Sequence, residues 1–168
     1  MYKIKRNHAY LVILLVFFIQ LLLSNFLGFS IIKPNLMIIT VTFFAIFTDR
    51  KFGFEAGFLS GMLLDIFSIR FFGLNAVLLA FGGYLTGKYN NKFYKDSIIT
   101  HVILTFVISF FVLSLYFLFL NLRNLSILPL PGLNDIFGPP IIISSLLNSF
   151  LGIWMYAFFI RVFQLSKS

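Results

Sequence analysis

Residues 53–65 read Gly53-Phe54-Glu55-Ala56-Gly57-Phe58-Leu59-Ser60-Gly61-Met62-Leu63-Leu64-Asp65, three glycines and an aspartate at strict four-residue intervals in an almost wholly apolar stretch. On a helix, residues four apart stack along one face. The glycines therefore clear side-chain bulk from a single stripe, and the carboxylate of Asp65 continues it. Such a stripe predicts close approach of a second helix. Downstream, Gly73, Asn75, Gly83 and Gly87 supply further small and polar positions for that contact. An ionisable group in so apolar a setting is expensive against lipid and turns toward protein or water, which makes Asp65 a candidate site residue.

The surroundings say what kind of chain this is. Of the 168 residues, 60% are hydrophobic and 11% charged, and the mean hydropathy is +1.01, far beyond what one soluble core needs. The expectation is a single all-α integral membrane domain over residues 1–168 with about six transmembrane helices, at about 9–27, 34–48, 52–67, 71–89, 98–120 and 140–163. A full crossing takes roughly 20 apolar residues, so segments 34–48 and 52–67 are short, and a non-spanning hairpin of these two is the alternative. The first segment follows a basic start but lacks a small-residue cleavage site, so it reads as a retained helix. Pro34 is expected at the first helical position of the second segment and Pro140 at the start of the last. Between the fifth and sixth segments, Asn121 to Asp135 carries Pro129, Pro131 and Gly132 and reads as the one long loop.

Basic residues set the orientation. With the amino terminus inside and six crossings, Lys3, Lys5, Arg6, Arg50, Lys51, Lys88, Lys92, Lys95, Arg161 and Lys167 fall on the inner side, and only Lys33, Arg70 and Arg123 fall outside. That bias places both termini in the cytoplasm. It also accounts for the net charge of +8 without nucleic acid, which needs a soluble basic face.

Little in the chain suggests chemistry. There is no cysteine, so thiolate catalysis and zinc–thiolate sites are excluded. His8 and His101 have no carboxylate at helical spacing, and no Walker-type motif occurs; neither metal nor cofactor is expected. Among the five acidic residues, Asp49, Asp96 and Asp135 sit at helix ends or in loops. Glu55 lies four residues after Lys51 on one face, the spacing of a snorkelling ion pair. For Asp65 three readings stand: a packing contact, a partner-binding group, or a proton or ion site. The lack of other ionisable groups along one path favours an assembly role that works through polar contact rather than charge. Asn124-Leu125-Ser126 matches a glycosylation sequon, a weak signal.

The stretch Gly53 to Asp65, continued by Phe72-Gly73-Leu74-Asn75-Ala76 and Gly82-Gly83-Tyr84-Leu85-Thr86-Gly87, resembles the core of the rod shape-determining protein MreD family. Pro34-Asn35 also resembles its pattern. The resemblance implies a non-enzymatic scaffold in the bacterial inner membrane, part of the cell-elongation machinery that positions peptidoglycan synthesis. The partners it implies are MreC, the MreB filament, the glycosyltransferase RodA and penicillin-binding protein 2. It further implies a fold similar to the substrate-binding membrane subunits of energy-coupling-factor transporters. A small-molecule-binding subunit of that transporter type is therefore the alternative function, although the Ala-xxx-Ala docking surface expected on its first helix is missing.

Overall fold

A computed structural model describes residues 4–26, 34–67, 72–95, 97–123 and 138–163, and among them the secondary structure is helical throughout. The described residues form six α-helices, α1 (Arg6–Phe26), α2 (Leu36–Phe47), α3 (Arg50–Ile66), α4 (Leu74–Lys88), α5 (Ile98–Arg123) and α6 (Pro139–Val162), and a 3₁₀ turn at Asn90–Lys92.

Helix α2 is the axis of the fold. Its sequence, LMIITVTFFAIF, is apolar all round, the mark of a helix with no solvent or lipid face. All twelve of its residues are buried, and every other α-helix packs against it. Phe43, Phe44 and Phe47 fill the space toward α6, where Phe43 and Phe159 lie with ring centroids 4.9 Å apart and Phe44 stacks on Phe159 at 6.0 Å. Its two buried hydroxyls are satisfied within the helix: Thr40 Oγ1 donates to the Leu36 carbonyl and Thr42 Oγ1 to that of Ile38.

Around this axis the most extensive packing is α3 on α4, followed by α5 on α6. The outward faces are apolar: Leu11, Leu15, Phe18 and Leu22 form an exposed stripe along α1, and Phe150, Trp154 and Phe158 do so along α6. That is the reverse of a soluble bundle. Among the described residues three helices are long and apolar enough to cross a membrane, Arg6–Phe26, Ile98–Phe119 and Pro139–Val162. At about 1.5 Å per residue, α2 with 12 residues extends only about 18 Å and α4 with 15 about 22 Å.

Helices lie in each of the six segments expected as crossings, with shifted ends, and three of them reach the length of a crossing. Pro34 is not the first helical residue; α2 starts two positions later because Asn35 takes the N-cap and its Oδ1 accepts from the amides of Met37 and Ile38 at 3.1 and 3.3 Å. Helix α4 starts at Leu74 rather than at 71, since Gly73 at φ +94° turns the chain into it. Helix α5 continues to Arg123, past the expected end at 120, because no breaker precedes Pro129. Most of the expected 121–135 loop, and the 124–126 sequon with it, lies outside the described residues.

Side-chain contacts fix which ends lie together. Asn90 Nδ2 donates to the Thr48 carbonyl, Arg6 lies over the Phe52 ring, and the Lys95 carbonyl is approached by His101 Nε2 at 3.3 Å and Tyr156 Oη at 3.5 Å. The start of α1, the α2–α3 turn, the α4–α5 connection, the start of α5 and the end of α6 therefore share one end of the bundle. Lys5, Arg6, Arg50, Lys51, Lys88, Lys92, Lys95 and Arg161 all belong to it.

Candidate functional site

Helices α3 and α4 run antiparallel, and the glycines of one meet the backbone of the other. A Cβ placed on Gly53 would stand 3.0 Å from the Gly83 carbonyl carbon and 3.1 Å from Ala45 Cβ. One on Gly57 would stand 2.6 Å from the Leu79 carbonyl carbon and 2.8 Å from Ala80 Cα, and one on Gly61 would run into the backbone of Asn75 and Ala76. From the opposite side, Gly83 faces the Gly53 carbonyl and Gly87 faces Asp49 and Arg50. Each of the three would also meet a backbone atom of α4 at under 3.0 Å, for Gly53 the Gly83 carbonyl oxygen, which real Cβ atoms essentially never do, so the three-glycine ladder brings two backbones into direct contact.

The ladder ends in a polar lock. Asp65 is 1% exposed, and its carboxylate accepts three N–H groups from the start of α4: Oδ1 takes the Asn75 amide at 3.2 Å and Asn75 Nδ2 at 2.8 Å, and Oδ2 takes the Ala76 amide at 2.9 Å. The first turn of a helix has four N–H groups without intrahelical partners. Gly73, the residue at the N-cap, has no side chain to serve them. Asp65 does so from the neighbouring helix, and its negative charge also faces the positive end of the α4 dipole. Of the residues singled out in the sequence, Gly53, Gly57, Gly61, Gly83 and Gly87 thus form one seam, Asp65 and Asn75 its lock, and Gly73 the turn beside it.

Glu55 has other partners than the expected Lys51. Its Oε1 accepts from the Tyr10 hydroxyl at 2.6 Å, and its Oε2 lies 3.9 Å from Arg6, both on α1. The reason is position: α1 packs alongside α3 at this level and offers a donor that needs no desolvation of lysine. Asp49, given no role from sequence, caps α3 through the Phe52 amide at 2.9 Å.

Sequence reasoning missed a second lock at the start of α2. Asn148 Oδ1 accepts the Asn35 amide at 2.7 Å, Gln20 Oε1 accepts that of Leu36 at 2.8 Å, and Asn35 Oδ1 takes those of Met37 and Ile38. Four consecutive amides are thereby paired with side chains from α1, α6 and the cap itself. Gln20 Nε2 donates to the Pro34 carbonyl and Asn148 Nδ2 to Ser109 Oγ, so the carboxamides are used at both ends. The signal was present: carboxamides at Gln20, inside the apolar run of α1, and at Asn148, among the serines of α6. His101 is buried among Phe43, Phe47 and Tyr156, and no group of three or more metal-ligating side chains exists among the described residues.

An apolar-surfaced helical bundle built round a fully buried short helix, with a glycine seam and buried helix starts closed by side chains, defines a helical membrane protein. The profile of the family described as rod shape-determining protein MreD matches residues 4–162, and the chain belongs to that family. It is a family of structural, shape-determining proteins. No curated protein and no solved structure matches the chain.

Proposed function

We propose that this chain is a non-enzymatic scaffold of the cell-elongation complex in the bacterial inner membrane. It works with MreC and, through the complex, with the MreB filament, RodA and penicillin-binding protein 2 to keep peptidoglycan synthesis along the cell's length. The observation that carries this reading is the family match across 4–162. The seam and its lock suit it, since a body that holds partners in place needs helices that do not slide. In this proposal Gly53, Gly57, Gly61, Asp65, Gly73, Asn75, Gly83 and Gly87 hold the α3–α4 unit in the shape its partners meet.

The proposal includes six crossings with both termini cytoplasmic, and a fold related to the substrate-binding subunits of energy-coupling-factor transporters. Gathering of eight basic residues at the end that holds the start of α1 and the end of α6 supports this orientation. A carboxy-terminal reporter should be active in the cytoplasm; activity only in the periplasm overturns the even number of crossings.

The decisive experiment is complementation. In a rod-shaped bacterium depleted of its own family member, this chain should restore rods and should copurify with MreC or a wall synthase in mild detergent. Recovery of ATPase subunits with a bound vitamin instead would overturn the scaffold reading.

A further inference from the structure

The outer face of the α3–α4 hairpin holds a groove of about 650 Å³, within the roughly 300–1,000 Å³ of ligand sites. Phe54, Phe58, Val77 and Phe81 form its walls, and Arg50 and Lys51 stand at its mouth, at the basic end of the bundle. The Phe54 and Phe58 rings lie nearly parallel, 8° apart with centroids at 6.3 Å, which makes one continuous apolar wall. All four apolar side chains are exposed, Val77 most of all at 64%. Both cations are exposed as well, and neither is ion-paired among the described residues, the Asp49 carboxylate being engaged by the Phe52 amide.

We propose that this groove binds an anionic phospholipid, with its phosphate between Arg50 and Lys51 and an acyl chain along Phe54, Phe58, Val77 and Phe81. Charge complementarity selects this occupant. An apolar helix of a partner protein would cover the walls and make no use of the two cations, whereas a lipid phosphate sits at the depth where a helix end meets the headgroups. A guanidinium and an ammonium lining the same groove offer a phosphodiester both a forked donor and a point charge. The inference is independent of which proteins the chain assembles with.

The test is lipid binding to the purified full chain in detergent, read by native mass spectrometry, with phosphatidylglycerol and phosphatidylcholine of the same acyl chains as probes. The wild-type chain should retain phosphatidylglycerol preferentially. R50Q and K51Q should each weaken that binding about five-fold, the change expected for one basic residue near an anionic surface, while K5Q at the same end leaves it unchanged. V77W, at an exposed position, should fill the groove and lower occupancy by both lipids. Equal retention of the two lipids by the wild type, or equal effects of K5Q and R50Q, would overturn the proposal. So would a photo-crosslinker at position 77 that captures a polypeptide in cell membranes instead of lipid.

Discussion

Replacing Asp65 separates the number of acceptors it supplies from its mere polarity. Its two oxygens serve three donors, the amides of Asn75 and Ala76 and the Asn75 side chain. In Asp65→Leu the two backbone amides lose their acceptors, at about 1–3 kcal/mol each, and the Asn75 carboxamide loses its partner too. The α4 dipole loses its counter-charge for about 0.3–1 kcal/mol more, so with about 1 kcal/mol for the Asn75 carboxamide the total is about 3–8 kcal/mol. Asp65→Asn is intermediate. Its one oxygen can keep both Asn75 donors, but its NH₂ then points at the Ala76 N–H, donor against donor, and the remaining bonds lose their charge assistance. We expect about 2–4 kcal/mol, a fall of roughly 5–15 °C in Tm for a chain of this size.

The assay is thermal unfolding of the purified variants in one detergent, with cell shape scored at matched protein level in depleted cells. Asn75→Ala, which removes only the side-chain donor, should be milder than either, at about 1 kcal/mol. An asparagine variant as stable as the wild type would refute the acceptor count, and a leucine variant no worse than asparagine would refute the cap. Charge and geometry also part company in cells: an asparagine variant that is stable and abundant yet gives round cells would mean the charge itself acts on a partner.

Gly57→Ala should already destabilise the hairpin by about 1–3 kcal/mol, since its methyl carbon would meet the Leu79 carbonyl, while Leu59→Phe on the exposed face is mild; equal tolerance in a Tm comparison removes the seam argument. Asn148→Leu should lower Tm by more than its similar volume suggests, because the Asn35 amide and Ser109 hydroxyl lose partners at about 1–3 kcal/mol each; an unchanged Tm would sink the second lock. Glu55→Gln should change stability by no more than about 1 kcal/mol, since the Arg6 pair is long and exposed and the amide oxygen still accepts from Tyr10; a larger loss measured by the same unfolding assay contradicts that.

What the sequence disclosed and what it hid divide along a physical line. The glycine ladder was legible because a missing side chain acts through the helix period alone: residues four apart face one neighbour whatever that neighbour is, and Asp65 extended the same face. The six helical segments were legible because apolar length is local. Helix starts were less so. Pro34 satisfied the local rule for a first helical residue, yet Asn35 displaced it, because a cap that takes two amides outweighs a favourable φ. The partners of α2's remaining amides were hidden for a stronger reason: Gln20 and Asn148 lie 16 and 113 residues from the groups they pair with, and no spacing rule joins them. The same holds for Glu55, whose local partner Lys51 lost to Tyr10, 45 residues away.

Both locks answer one problem set by the short axis. A helix as long as the bilayer is thick has both ends in water or headgroups, where its free amides are solvated. Helix α2, with all 12 residues buried, starts inside the protein. Its first amides then need acceptors from other helices, and Gln20 and Asn148 supply them; Asp65 does the same for α4. Each lock therefore ties the start of a short helix to side chains elsewhere, so that α2 cannot shift along its axis without unpairing several amides at once. The interhelical polar ties described here lie at those buried starts and the closest backbone contacts at the glycine seam, while the outward faces of the long helices are apolar. In the scaffold role proposed above, stiffness is needed there, between the helices that set the shape.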